Sequence, residues 1–229
     1  MKKNKQDSLL FSTIKVLPIK SFDTYNWLLK KHYAKRIPNI TNAFGLFEKS
    51  NLIGVVTYGI PASPSLCVGV CGKEHSGKVR ELNRLCLQDN YKNYSSFLIS
   101  KSLKMLKKPK IVVSYADTSQ GHVGYVYQAT NFLYTGISAK RTEWRIKGSN
   151  LHSKTITEQS TLEERQKNPQ KYETVDRPRK HRYIYIVGSK KDRKTLTKAL
   201  NYDQLPYPKG DTKQYNSGSK VITQMILEL

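Results

Sequence analysis

Acid is scarce beside base in this sequence: 17 Asp and Glu stand against 40 Lys and Arg in 229 residues, a formal charge of +23. Such an excess repels itself in a compact state unless an anion is near. A polyphosphate partner is the first expectation, and a membrane surface the competing one. Long apolar runs are also missing. No stretch approaches the roughly 20 residues that span a bilayer. "MKKNKQDSLLFSTIK" at the start has no small-residue cleavage site, so no signal peptide is read. The cysteines, Cys67, Cys71 and Cys86, are odd in number, and the Cys-x-x-x-Cys pair with nearby His75 is one ligand short of a zinc site. Reduced thiols in the cytoplasm are expected. A Gly-rich cofactor loop and an Asp-Pro-Pro-Tyr-like motif are both lacking, which argues against a conventional methyltransferase.

What is present alternates between two periodicities. "STIKVLPI", the pair "NAFGLFE" and "NLIGVVTYGI" around a turn at Lys49-Ser50, "KVRELNRLCL", "FLYTGIS", "TEWRIKG" and "HRYIYIVG" read as strands. "IVVSYAD" is apolar without interruption, as a central strand buried on both faces would be. "SFDTYNWLLKKHY", with Ser21 as N-cap, and "SSFLISKSLKMLKK", stopped by Pro109, read as helices. "YGIPASPSL" reads as a rigid Pro-bounded loop. Residues 148–179 are polar and basic with one short helix. Over 140–194 there are 16 Lys and Arg against 7 Asp and Glu, either a solvated excursion or an arm that lies along phosphates. The class is α/β (α+β), with a mixed sheet flanked by helices.

The densest chemistry lies in "YADTSQGHVGYVYQATNFLYTG", residues 115–136. Asp117 closes the apolar strand, where ligands of open sheets gather. His122 ends a tight loop, and a helix from about His122 to Asn131 carries Tyr127 and Asn131 on one face. Asp117, His122 and Tyr127 suit proton transfer, or a metal held by carboxylate, imidazole and phenolate.

Two resemblances follow. "YQATNFLYTG" resembles the GNAT acyltransferase pattern Tyr-x-x-x-Gly-Phe-x-x-x-Gly, with Tyr127 on the proton-donating tyrosine, Asn131-Phe132 on the Gly-Phe pair and Gly136 on the last glycine. Over residues 14–210 the chain is similar to the Mom family of phage DNA modification proteins. His32-Tyr33 with Pro38, Arg80-Glu81-Leu82-x-Arg84-Leu85, Tyr115-x-Asp117-x₄-His122-x-Gly124-x-x-Tyr127-Gln128 and Lys180 to Tyr183 carry this likeness. It implies a GNAT-like fold with a mostly antiparallel twisted sheet, in one domain over 1–229 with a basic insertion at about 148–179. It also implies conversion of adenine in double-stranded DNA to N6-carbamoylmethyladenine, in the host cytoplasm, as protection from restriction. Tyr33 and Asp117 are implied iron ligands, and an arginine, Arg80 or Arg84, works with Tyr127. The catalytic candidates are thus Tyr127, Asp117, His32, Arg84, Arg80, Ser114 and His122. The substrate-binding candidates are Tyr33, Tyr58, Gln128, Asn131, Lys180 and Arg182, and Trp144 is a further stacking face.

The donor implied is an acyl carrier, acetyl-CoA or glycyl-tRNA. The loop that cradles the coenzyme A pyrophosphate in GNAT enzymes reads here "CLQDNYKNYSSFLIS", without glycine, so a backbone nest for phosphate is not expected. A glycyl ester instead suits a product with a methylene on the adenine nitrogen. The alternatives are an acyltransferase acting on protein or RNA, and a basic nucleic-acid-binding module without catalysis.

Overall fold

The computed structural model describes residues 13–89, 91–149, 151 and 153–210. Seven strands form one sheet: β1 (Ile14–Ile19), β2 (Asn42–Glu48), β3 (Asn51–Gly59), β4 (Val79–Leu87), β5 (Lys110–Asp117), β6 (Leu133–Ile137) and, after two strands that pair apart, β9 (Lys180–Val187). Their spatial order is β1-β2-β3-β4-β5-β9-β6, and every neighbouring pair is antiparallel except β4 with β5. The expected mixed, mostly antiparallel sheet is what forms. Four helices flank it: α1 (Pro64–His75), α2 (Tyr94–Met105), α3 (Tyr125–Ala129) and α6 (Lys190–Lys198).

Apolar residues on both faces of the central strands explain the layers. Val112 of β5 packs with Leu98 and Ile99 of α2 and Val126 of α3. Its neighbours Ile111 and Val113 point the other way, toward Val70 of α1 and Leu196 of α6. Farther along that face Leu28 seals onto Val55 and Cys86. Glu48 pairs with Asn51, so the β2–β3 turn has Lys49 and Ser50 at its tip, with Lys49 at φ 55.

The parallel pair places the site. β4 and β5 are in register only from Val79–Ile111 to Glu81–Val113, although β4 runs on to Leu87 and β5 to Asp117. Beyond Glu81 the two strands part into a fork. A register shift at Thr57/Tyr58 keeps β4 bonded to β3. Across the opening Ser114 Oγ donates to the Leu82 carbonyl, at 2.9 Å.

Several expectations need correction. Residues 21–31 are not one α-helix: a 3₁₀ turn (Ser21–Thr24) runs into a π turn (Trp27–Lys31), and Lys20, not Ser21, stands at the N-cap. The "YGIPASPSL" loop ends at Ser63, where α1 begins, kinked at Cys71 and Gly72. The helix expected from His122 starts only at Tyr125, because Gly124 takes φ 85 and a 3₁₀ turn (Thr118–Gln120) fills the approach. Gly124 is required there, since an added Cβ would lie 2.5 Å from the Tyr183 ring. "TEWRIKG" forms β7 (Thr142–Ile146) but leaves the main sheet, pairing with β8 (Tyr172–Asp176) around α4 (Ser153–Gln159) and α5 (Leu162–Lys167). The polar excursion therefore begins earlier than residue 148, and Ile156, Tyr172 and Arg165 are buried within it. Among the described residues no helix is long and apolar enough to cross a membrane.

Candidate active site

At the fork a proton donor is held in place. Tyr127 is buried, its ring tilted against Phe132 and Tyr183, with the Ser114 side chain beside its hydroxyl. A carbonyl can only accept, so the Ser114 proton goes to Leu82 and Tyr127 must donate to Ser114. Burial pushes the phenol far above its ordinary value. Tyr127 therefore keeps its proton at neutral pH. Tyr183 O–H caps the Val123 carbonyl and so pins the approach to α3.

The β4 edge contributes groups with unmet capacity. Glu81 is desolvated, and burial raises its carboxyl against the opposing pull of Arg84 and Lys180. A carboxylate so raised is a stronger base than an ordinary one. Arg84 donates one N–H to the Asn83 carbonyl, at 2.6 Å, while its buried Nε–H has no acceptor among the described residues. A buried donor without a partner is costly, about 1–3 kcal/mol, and invites an oxygen from a ligand. Burial, more than the neighbouring charges, lowers the Arg84 pKa.

His32 and Tyr33 reach the same place from the π turn. The rings stack, with centroids 4.5 Å apart. His32 Nδ1 accepts the Ala34 N–H at 3.1 Å, which leaves the imidazole proton on Nε2. Burial and then the Arg84 charge lower its pKa to about 3. At neutral pH His32 is thus an uncharged imidazole stacked against Tyr33. Tyr33 is 49% exposed, yet burial raises its phenol, and Lys180, Asp117 and Arg84 all act on it. About half of the residue is exposed, while its hydroxyl lies within reach of the charges at the fork.

Asp117 is already fully engaged. One carboxylate oxygen accepts Ser119 N–H at 3.0 Å and Ser119 O–H at 2.7 Å; the other meets Lys180 Nζ at 2.8 Å. Burial pushes the carboxyl up, but Lys180 and Ser119 outweigh it and hold it below its ordinary value. This donor set does not fit iron. The ammonium of Lys180 stands where a cation would bind Asp117. Among the described residues no group of three or more His, Cys, Asp or Glu gathers for a metal.

The fork brings together Tyr127, Ser114, Arg84, Tyr33, His32, Asp117 and Lys180 among the sequence candidates. The others lie apart. Arg80 folds back onto the Gly77 and Val79 carbonyls, which leaves Arg84 as the arginine at the fork. Tyr58 is fully buried with its hydroxyl on Ser102, so no base can stack on it. Gln128 is spent on Tyr183 and the Pro208 carbonyl. Arg182 is clamped by both oxygens of Thr135 and stacks 3.3 Å from the Tyr202 ring centroid. Asn131 sits past the end of α3 at φ 60, off the face of Tyr127. His122 is half-buried beyond the Thr118–Gln120 turn, its N–H on the Asp117 carbonyl. Trp144 lies under Arg165 in the excursion. The residue not singled out from sequence is Glu81; its signal was an acid in mid-strand between two arginines.

With the geometry in place, comparison with known proteins is direct. The Mom protein family model matches residues 13–209. The methylcarbamoylase mom of Escherichia phage Mu is 31% identical over 191 residues, spanning 78% of this chain and 77% of that protein.

The chain belongs to the Mom protein family.

Solved GNAT-type structures align at low similarity. An N-acetyltransferase from Staphylococcus aureus Mu50 matches with TM-score 0.43 and 12% identity over 76% of this chain and 98% of its own. A Bacillus subtilis acetyltransferase in complex with CoA matches with TM-score 0.41 and 10% identity, over 76% and 97%. Membership of the Mom family rests on the first two matches, and in this Mom-family chain the quoted motifs supply Tyr33, Glu81, Arg84, Asp117, Tyr127 and Lys180 of the fork.

Proposed function

We propose that this Mom-family protein modifies adenine in phage DNA to N6-carbamoylmethyladenine, a change that shields the DNA from host restriction. The observation that carries the reading is the meeting of a locked proton donor, Tyr127, a raised carboxyl, Glu81, and an unsatisfied guanidinium, Arg84, at one strand fork.

The roles follow from the protonation states. Adenine's exocyclic amine is a weak nucleophile, so its proton must be taken as it attacks; Glu81 does this, and Asp117, with both oxygens bonded, does not. Arg84 Nε–H binds the carbonyl oxygen of the donor and stabilises the charge that grows there. Tyr127 passes its proton to the departing oxygen and recovers one through Ser114. Tyr33, open on one side, stacks on the extruded base.

The donor is a glycyl ester of the glycyl-tRNA kind rather than acetyl-CoA, because an acetyl group lacks the second nitrogen of the product. Transfer forms N6–CO–CH₂–NH₂ and releases the ribose hydroxyl. The glycyl amine then attacks ring carbon 6, giving a five-membered spiro intermediate. Expulsion of the original amine nitrogen leaves C6–NH–CH₂–CO–NH₂, with no atom gained or lost.

Glycyl-tRNA carrying ¹⁵N-glycine, incubated with DNA and the protein, tests this. Tandem mass spectrometry of the nucleosides should find carbamoylmethyladenosine with the label bonded to carbon 6. Label in the terminal amide defeats the rearrangement. Unmodified DNA in a stable complex favours the non-catalytic binding module.

A further inference from the structure

Exposed apolar side chains are not spread evenly over this surface. Phe22 (59% exposed), Tyr25 (38%) and Leu29 (44%) fall about one turn apart along the 3₁₀ turn and the wider π turn that follows it, and all three face outward. Thr24 and Leu28 on the opposite side are buried. Three large apolar groups side by side in water are unfavourable unless something covers them.

The surroundings of the ridge are basic. Residues 13–41 hold Lys15, Lys20, Lys30, Lys31, Lys35 and Arg36 against one acid, Asp23. Among the described residues no carboxylate pairs with Lys20, Lys30, Lys31 or Lys35. Lys20 and Lys31 instead lie over the rings of Phe22 and Trp27, at 5.6 and 4.3 Å from their centroids. The same backbone leads from Leu29 to His32 and Tyr33, whose hydroxyl lies within reach of the charges at the fork.

We propose that the Phe22–Tyr25–Leu29 ridge is a wedge that enters the DNA duplex beside the target adenine. It fills the space the base leaves when it swings out to Tyr33, while Lys20, Lys30, Lys31 and Lys35 hold the flanking phosphates. The inference rests on DNA being the substrate and adds where the duplex docks and how its base is extruded. The chemistry of the surface selects this partner. Phosphates require unpaired cations, and unstacked base pairs require apolar or aromatic faces among them; the segment supplies both in one patch. A protein partner would leave the lysines unanswered. A second copy of this chain would oppose them with the same sign.

The test compares wild type with Phe22→Ser/Tyr25→Ser/Leu29→Ser, all surface positions outside the fork. The substrates are a duplex oligonucleotide and the same target strand alone. Wild type should modify both. The triple variant should lose at least about tenfold in rate on the duplex and stay within about twofold on the single strand, where nothing needs to be opened. With 2-aminopurine at the target position, wild type should raise its fluorescence in the duplex and the variant should not. Equal loss on both substrates, or no loss on the duplex, overturns the wedge. So does sedimentation showing a wild-type dimer that the variant converts to monomer, since the ridge would then be a self-association face. Failure of wild type to modify either DNA refutes the functional reading itself and is separable from all of these. Matching circular dichroism spectra and melting temperatures keep the comparison among folded proteins.

Discussion

The two arms of the fork carry similar residues in opposite states. On the β5–β9 arm the charged groups are partnered: Asp117 holds Ser119 and Lys180, and Arg182 holds Thr135 and Tyr202. On the β4 arm Glu81 is desolvated with a raised pKa, and Arg84 keeps a buried N–H without an acceptor among the described residues. Both arms hold carboxylates and cations within one site. A satisfied network fixes geometry; an unsatisfied one stores affinity for whatever completes it. In the proposed reaction the β5–β9 arm is scaffold, and the β4 arm is the working edge.

The largest expected effect breaks that contrast at its working edge. Glu81→Gln keeps the shape and removes the base, so the rate of DNA modification should fall by about a hundredfold or more. Quantitative nucleoside mass spectrometry against time gives the rate, and thermal melting should show little change. Activity of the wild type should rise with pH as Glu81 loses its proton, from a midpoint above the ordinary carboxylate range, and the variant should lack that rise. A loss of stability without the change in pH profile would make Glu81 structural.

Asp117→Asn attacks the scaffold arm. It leaves Lys180 without its counter-charge, and the expected cost is about 1–3 kcal/mol of folding stability, less than for a fully buried pair because Lys180 is partly solvated. Urea unfolding measures it. Pairing the change with Lys180→Met should recover part of the loss, since both charges are then gone. Modification by either variant should fall by less than that of Glu81→Gln. The sign with pH is fixed: a carboxyl held below its ordinary value adds stability above its unfolded pKa of about 3.9, and that stability is lost as pH falls through the folded value.

Much of this was legible in the residues, and the rest was not for identifiable reasons. "IVVSYAD" announced a buried central strand because Ile111 to Ser114 are enclosed on both faces. "PSLCVGVCG" concealed α1: Gly69, Gly72 and β-branched valines weaken the helical signal, and only packing of Val70 on Ile111 and Ile184 overrides them. The length of α3 was overestimated because the left-handed turn at Gly124 depends on Tyr183, about sixty residues away in sequence. The site was legible as a set of motifs, yet the division of labour between Asp117 and Glu81 was not. That division depends on Lys180 and Ser119 reaching Asp117 and nothing equivalent reaching Glu81, which is a property of the fork.

The smallest effect sharpens the comparison through pH. His32 is neutral in the fold with a pKa near 3, whereas an unfolded histidine titrates near 6.5. The unfolded chain therefore binds the proton first, and stability from this residue declines as pH falls below about 6.5 and continues to decline toward the folded value. Between pH 7 and pH 5 the expected loss is about 2 kcal/mol at most. His32→Asn can still accept the Ala34 N–H and cannot titrate, so its urea midpoint should fall less between those two pH values than that of the wild type. Asp117 does not confuse the reading, because its own contribution changes only below about pH 4. Equal declines in the two proteins would mean that His32 takes up its proton inside the folded fork. Arg84 would then face an imidazolium, and the neutral imidazole assigned beside it would no longer hold.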